Sequence, residues 1–171
     1  ADTDADVSHT TAVLTSVSSD YSTGAFASVD LSDWSITDEL FVTASDAAVS
    51  ADEGMVFQVN RLGYDNVRMY EPGSWGEPIW EQSVGDLANP HVANICNGDL
   101  FVTLYGRDYI GVYDLSNGTI LGTVDLSEFN DADDTGPEAS TMVEVDGKLY
   151  VGLNRLDRDS SWSDQGGVVA E

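Results

Sequence analysis

Positive charge is nearly missing from this chain. Six Lys and Arg stand against 31 Asp and Glu, the net charge is −25, and Lys148 is the only lysine. A nucleic-acid partner is not expected, because a phosphate backbone is held by Lys and Arg that displace its counterions. An anionic membrane surface is disfavoured on the same ground. Cysteine is equally scarce. Cys96 stands alone, so the chain forms no disulfide within itself. Its setting, Asn94-Ile95-Cys96, reads as an inner strand with a buried apolar thiol; a disulfide to another part of the protein is the alternative. No run approaches the roughly 20 apolar residues of a membrane span. Nucleophile elbow, phosphate loop, dinucleotide fingerprint and paired-cysteine metal motif are all missing.

The chain opens Ala1-Asp2-Thr3-Asp4, without an initiator Met or a signal peptide. That pattern is expected of a processed, exported protein, secreted, periplasmic or at the cell surface. The acidity has two readings: a solvated, self-repelling surface, or adaptation to salt or to divalent cations.

What the chain does have is one phrase said four times: an apolar strand, a polar hairpin loop, and a second strand closing on an acid. It appears as Val13–Val17 with Ala25–Asp30, and as Met55–Val59 with Val67–Glu71. It returns as Leu100–Leu104 with Ile110–Asp114, and as Leu149–Leu153 with Gly167–Glu171. A spacing of roughly 40–50 residues with strands and no clear helices marks β-propeller blades. The expected fold is therefore all-β, about three and a half four-stranded blades of a larger propeller. The boundaries are an acidic, flexible arm over 1–8 and blades over 9–45, 46–89 and 90–135. A partial blade covers 136–171. The innermost strand of the first blade is not visible as an apolar run. Asn97-Gly98, Asn117-Gly118 and Asp146-Gly147 supply tight hairpin turns. The last unit stops at Glu171 where a turn and a fourth strand are due. A fragment of a longer protein, or completion by a second chain, is expected.

Several stretches carry a family resemblance: Asp20-Tyr21-Ser22-Thr23-Gly24, Val59-Asn60-Arg61, Asn89-Pro90, Gly136-Pro137-Glu138, Gly147-Lys148-Leu149-Tyr150-Val151 and Asn154-Arg155-Leu156-Asp157-Arg158. Together they resemble the secreted YVTN-type seven-bladed propellers of bacteria. The resemblance implies an exported or lipid-anchored protein used for binding or surface structure.

Aligning the repeats places Asp46, His91 and Glu138 at equivalent starts of innermost strands. Two carboxylates and an imidazole converging there make a divalent-metal set; the competing reading is that each bonds a neighbouring blade's backbone. Arg61, Arg107, Arg155 and Arg158 fall in the loops joining second and third strands. They suit an acidic small molecule or glycan, or else they rivet adjacent loops. The run Asp131-Ala132-Asp133-Asp134-Thr135-Gly136 resembles the first half of an EF-hand loop, with Asp131, Asp133, Thr135 and Glu138 as calcium ligands; an Asp-rich solvated turn is the alternative. Among the tryptophans, Trp75 and Trp162 sit in Gly- and Ser-rich loops and are the expected exposed pair.

The expected function is a ligand- or protein-binding or structural module acting through its channel-mouth loops, more in keeping with a non-enzyme. The alternative is a metal-dependent lyase or hydrolase, with His91 as base or ligand and Arg107 or Arg155 on the substrate's anion.

Overall fold

A computed structural model describes residues 10–130, 136–158 and 160–171, with Phe41 and Val42 through their backbone. The arm expected over 1–8 and the acidic run 131–135 lie outside these residues. The described chain is a partial β-propeller of four antiparallel meanders. The first is β1 (Thr11–Val17), β2 (Gly24–Asp30) and β3 (Ile36–Thr43). The second is β4 (Ala47–Asp52), β5 (Met55–Asn60), β6 (Asn66–Tyr70) and β7 (Trp80–Ser83). The third is β8 (Pro90–Cys96), β9 (Asp99–Leu104), β10 (Tyr109–Asp114) and β11 (Ile120–Asp125). The fourth pairs β12 (Ala139–Val145), β13 (Lys148–Leu153) and β16 (Val168–Ala170), with a separate small hairpin, β14 (Leu156–Asp157) and β15 (Ser163–Asp164), between β13 and β16.

Strand direction shows which strands are equivalent. In the second meander Ala47, Asn60, Asn66 and Ser83 lie in register at one end. In the first, Val17, Gly24 and Thr43 occupy that end, and three residues separate Thr43 from the start of β4. β1 therefore runs opposite to β4 and corresponds to β5. The first sheet holds the second, third and fourth strands of a blade, and β1 lies beside the innermost strand β4. In the last sheet β16 is the third strand.

The inner strands of the second and third blades alternate their side chains between neighbouring blades, which is why both their faces are apolar. Val56 of β5 packs with Phe26 and Tyr70 toward the first blade, while Phe57 and Val59 join Leu100, Val102 and Leu104 toward the third. On β10, Tyr113 faces the second blade and Ile110 joins Val151 and Leu153 of the fourth. Full burial of a Leu or Phe here is worth about 1.5–3 kcal/mol. On β5 two buried polar residues break the pattern. Gln58 and Asn60 of β5 face the first blade, and both hydrogen-bond Thr43 across the blade boundary.

The turns joining innermost and second strands are Glu53-Gly54, Asn97-Gly98 and Asp146-Gly147. In all three both residues have positive φ, as a type I′ turn requires. Asn97-Gly98 and Asp146-Gly147 were legible as Asn-Gly and Asp-Gly pairs. Cys96 is buried and free. No helix of the described residues is long and apolar enough to cross a membrane.

Candidate functional site on the loop face

The starts of innermost strands and the loops between second and third strands share one end of the molecule, which follows from the registers above. The geometry of this loop face begins with its arginines. Arg61 leaves the end of β5 and reaches in three directions. One terminal nitrogen lies 3.2 Å from Asp46 Oδ1, at the start of its own blade. The other donates to His91 Nε2 at 2.7 Å, and Nε donates to Asn89 Oδ1 at 3.3 Å, both in the third blade. Because Nε2 accepts, the proton of the neutral His91 ring sits on Nδ1. Burial and the Arg61 charge hold the His91 pKa down at about 4. The ring stacks on Tyr105, with centroids 4.5 Å apart and planes 12° apart.

Glu138 is held separately. Its carboxylate is fully buried, accepts from Arg158 Nε at 2.7 Å and from the Leu156 backbone N–H at 2.8 Å. Arg158 also donates to the Tyr105 carbonyl at 2.7 Å, tying the fourth blade to the third, and lies 5.8 Å over the Trp162 ring. Arg107 binds backbone: its guanidinium donates to the carbonyls of Asp86 and Leu87 in the loop leading into its own blade. Arg155 donates to the Gly166 carbonyl at 3.3 Å. Asp65 completes the layer by accepting from the backbone of Leu87 and Asn89. The loops press so closely that a Cβ on Gly106 would sit 2.3 Å from the Leu87 carbonyl oxygen.

The structure thus brings Asp46 and His91 together through one guanidinium, and places Glu138 on a different one. Among the described residues no three His, Cys, Asp or Glu side chains gather as metal ligands. Asp131, Asp133 and Thr135 lie outside the described residues. The arginines engage loops, the riveting arrangement named above.

From this fixed layer large apolar side chains stand outward. Tyr21, Leu62, Leu87 and Trp162 are 54–76% exposed. All four have left-handed backbones, with φ between 32° and 61°. Such a backbone costs an L-residue about 1–2 kcal/mol. Tyr64 is exposed beside Leu62. The Tyr21 loop is stiff. Ser18 Oγ and Asp20 hydrogen-bond each other, Asp20 accepts from Ser22, and Tyr21 N–H donates to the Ser18 carbonyl at 2.9 Å. The Ser18 and Ser22 hydroxyls hold the Asp20 carboxyl down at about 2. An exposed left-handed aromatic also occurs at Trp34, in the β2–β3 turn of the opposite end.

The tryptophan expectation needs one correction. Trp162 is exposed, but Trp75 packs against Phe26 at 5.6 Å and Tyr70 at 6.3 Å, where it caps the core between the first two blades. Trp34 is the second exposed tryptophan. Sequence reasoning missed Tyr21, Leu62 and Leu87. Their signal was present: large apolar residues inside otherwise polar loops, as in Asp20-Tyr21-Ser22 and Arg61-Leu62-Gly63.

No family model matches the sequence, and no curated protein does. Solved structures with propeller folds are similar to it. BamB from Moraxella catarrhalis aligns with a TM-score of 0.56 at 14% identity, over 77% of this chain and 35% of that one. Kuenenia stuttgartiensis hydrazine synthase aligns at 0.54 and 20%, over 92% of this chain and 48% of that one. The dihydro-heme d1 dehydrogenase NirN aligns at 0.51 and 12%, over 92% and 37%. At these identities the likeness is one of fold. The chain spans between about a third and a half of the length of these three structures.

Proposed function

We propose that this chain is part of an exported, YVTN-type recognition propeller that binds a protein or other ligand through its loop face. The observation that supports this most is the set of four exposed, left-handed apolar residues, Tyr21, Leu62, Leu87 and Trp162, raised from a layer of inter-blade hydrogen bonds. Strained backbone that exposes apolar surface opposes folding stability, and such strain clusters where function uses it. A rigid base lowers the entropy lost on binding. Arg61, Arg107 and Arg158 are engaged within the protein, so the reading rests on apolar contact more than on capture of an anion.

Calcium at Asp131, Asp133 and Thr135 belongs to the reading on the strength of the sequence pattern. Glu138 is left out of that set, since its two oxygens accept from Arg158 and Leu156.

A random-peptide phage library selected on the immobilised protein tests the binding face. Peptides are expected that lose binding to a Tyr21→Ser, Leu62→Ser, Leu87→Ser variant and keep it with Trp34→Ser. Selection of peptides indifferent to the triple variant would overturn the assignment.

A further inference from the structure

The loop from β7 to β8 is held by its backbone at every point. Leu87 N–H donates to Asp65 Oδ2 at 3.0 Å, and the Leu87 carbonyl accepts from Arg107 Nη1 at 3.4 Å. Ala88 N–H donates to the Gly85 carbonyl at 3.1 Å, and the Ala88 carbonyl accepts from Gly106 N–H at 2.9 Å. Asn89 N–H donates to Asp65 Oδ1 at 2.8 Å, and the Asn89 carbonyl accepts from Tyr105 N–H at 3.0 Å. Every backbone polar group of residues 87–89 thus has a protein partner, where a surface loop can leave such groups to water. All these groups belong to the second and third blades, whose sheets each have four strands. Ala88 is fully buried, yet the Leu87 side chain is 75% exposed. A segment that only joined two strands would carry glycine at such a left-handed position, as Gly85 does at φ 99°. Leucine stands there instead, at φ 61°.

We infer that Asp65 and Arg107 are positioning residues of the binding face: they clamp the Leu87 backbone from two blades and fix one outward pose of its side chain for the partner. The inference rests on the loop face being a binding face and adds which residues pre-form it. Asp65 suits the task because a carboxylate offers two oxygens, each taken here by a different N–H of the loop, and it is a stronger acceptor than a neutral group. Its Oδ2 also accepts from Gly63 N–H at 3.3 Å, which ties the β5–β6 loop carrying Leu62 to the same carboxylate. Arg107 reaches over from the third blade, so the pose depends on how the blades pack and not on the loop alone. A partner that meets Leu87 already in place is spared the entropy of ordering it.

The test uses the full chain, with amide exchange read by NMR and peptide binding by fluorescence anisotropy. The Leu87 and Asn89 amides are expected to exchange slowly in the parent, and about tenfold faster or more in Asp65→Asn, which offers one acceptor oxygen where the carboxylate offers two. Exchange at Leu87 as fast as in an unfolded chain overturns the inference, since there is then no clamp. The peptide is one from the phage selection whose binding is weakened by Leu87→Ser. Asp65→Asn and Arg107→Gln should each weaken it about tenfold in the parent and no further in the Leu87→Ser background, because both act through Leu87. A merely structural role would lower affinity equally in both backgrounds, and that additive result overturns the inference while leaving the loop face as the binding face. Arg107→Gln carries both arms if Asp65→Asn does not fold. A selection that yields only peptides indifferent to Leu87→Ser overturns the positioning role for binding, and slow exchange at Leu87 would then mark the clamp as part of the fold.

Discussion

Arg61 donates to His91 Nε2 at 2.7 Å, so a second-blade guanidinium fixes the tautomer of a third-blade imidazole. The same side chain reaches Asp46 and Asn89. Lysine has neither the length of the fork nor its fixed geometry, and serves one acceptor well at most. Arg61→Lys is therefore expected to destabilise the protein by about 1–3 kcal/mol, the cost of leaving partly buried polar groups unmet. Urea unfolding measures it.

The neutral His91 gives the fold a pH dependence of defined sign. Its folded pKa, about 4, lies below the ordinary imidazole value of 6.5. Between these values the unfolded chain binds the proton and the folded chain does not. The His91 contribution is present in full above about 6.5, and it is lost as the pH falls toward about 4. Thermal melts from pH 7 to 4 should fall less steeply in His91→Gln than in the parent. A direct titration of the imidazole by NMR, with His9 replaced to leave one signal, should show the midpoint near 4.

Glu138 is a fully buried carboxylate with Arg158 as its charged partner. Removing one member of such a pair leaves a buried charge and costs about 3–5 kcal/mol. Arg158→Ala is expected to fall in that range by urea unfolding, and Glu138→Gln combined with Arg158→Met to cost less than Arg158→Ala alone. Equal losses would mean that packing, not charge, sets the effect.

Leu87 is exposed with φ near 61°. Glycine adopts that backbone freely, and the relief of about 1–2 kcal/mol outweighs the 0.5–1 kcal/mol that glycine loses in chain entropy, roughly. Leu87→Gly should raise stability by up to about 1 kcal/mol while weakening binding of loop-face peptides. A variant that loses both stability and binding would show that Leu87 supports the fold instead.

Calcium is tested by thermal shift. If Asp131, Asp133 and Thr135 hold it, millimolar calcium should raise the melting temperature and magnesium should not. Asp131→Asn with Asp133→Asn should abolish the rise.

The blade pattern was legible because strands buried on both faces leave apolar runs at a fixed spacing, as in Leu100–Leu104, and because Asn97-Gly98 and Asp146-Gly147 announce their turns. The β14–β15 hairpin was not legible. Leu156-Asp157 and Ser163-Asp164 are too short and too polar to read as strands, and only the length of the segment from 154 to 167 hinted at an insertion. In the site, alignment of the repeats brought Asp46 and His91 to the same end of the molecule. It did not show that Arg61 would reach both. Hydrogen bonds between blades depend on how the loops cross, as where Gly106 lies against the Leu87 carbonyl, and repeat spacing carries no trace of that. The left-handed backbones of Tyr21, Leu62 and Leu87 were hidden because no glycine stands at the residue itself: Tyr21 is held by side-chain hydrogen bonds of its own loop, and Leu87 by Asp65 of the β5–β6 loop.

The measurement that tests the central claim most directly is a hydrogen-exchange footprint of the full chain with a selected peptide bound. The account predicts slowed exchange in residues 18–23, 61–65 and 85–89, on the loop face. Slowed exchange confined to 31–35, 71–79 and 115–119, at the opposite end of the blades, would contradict it.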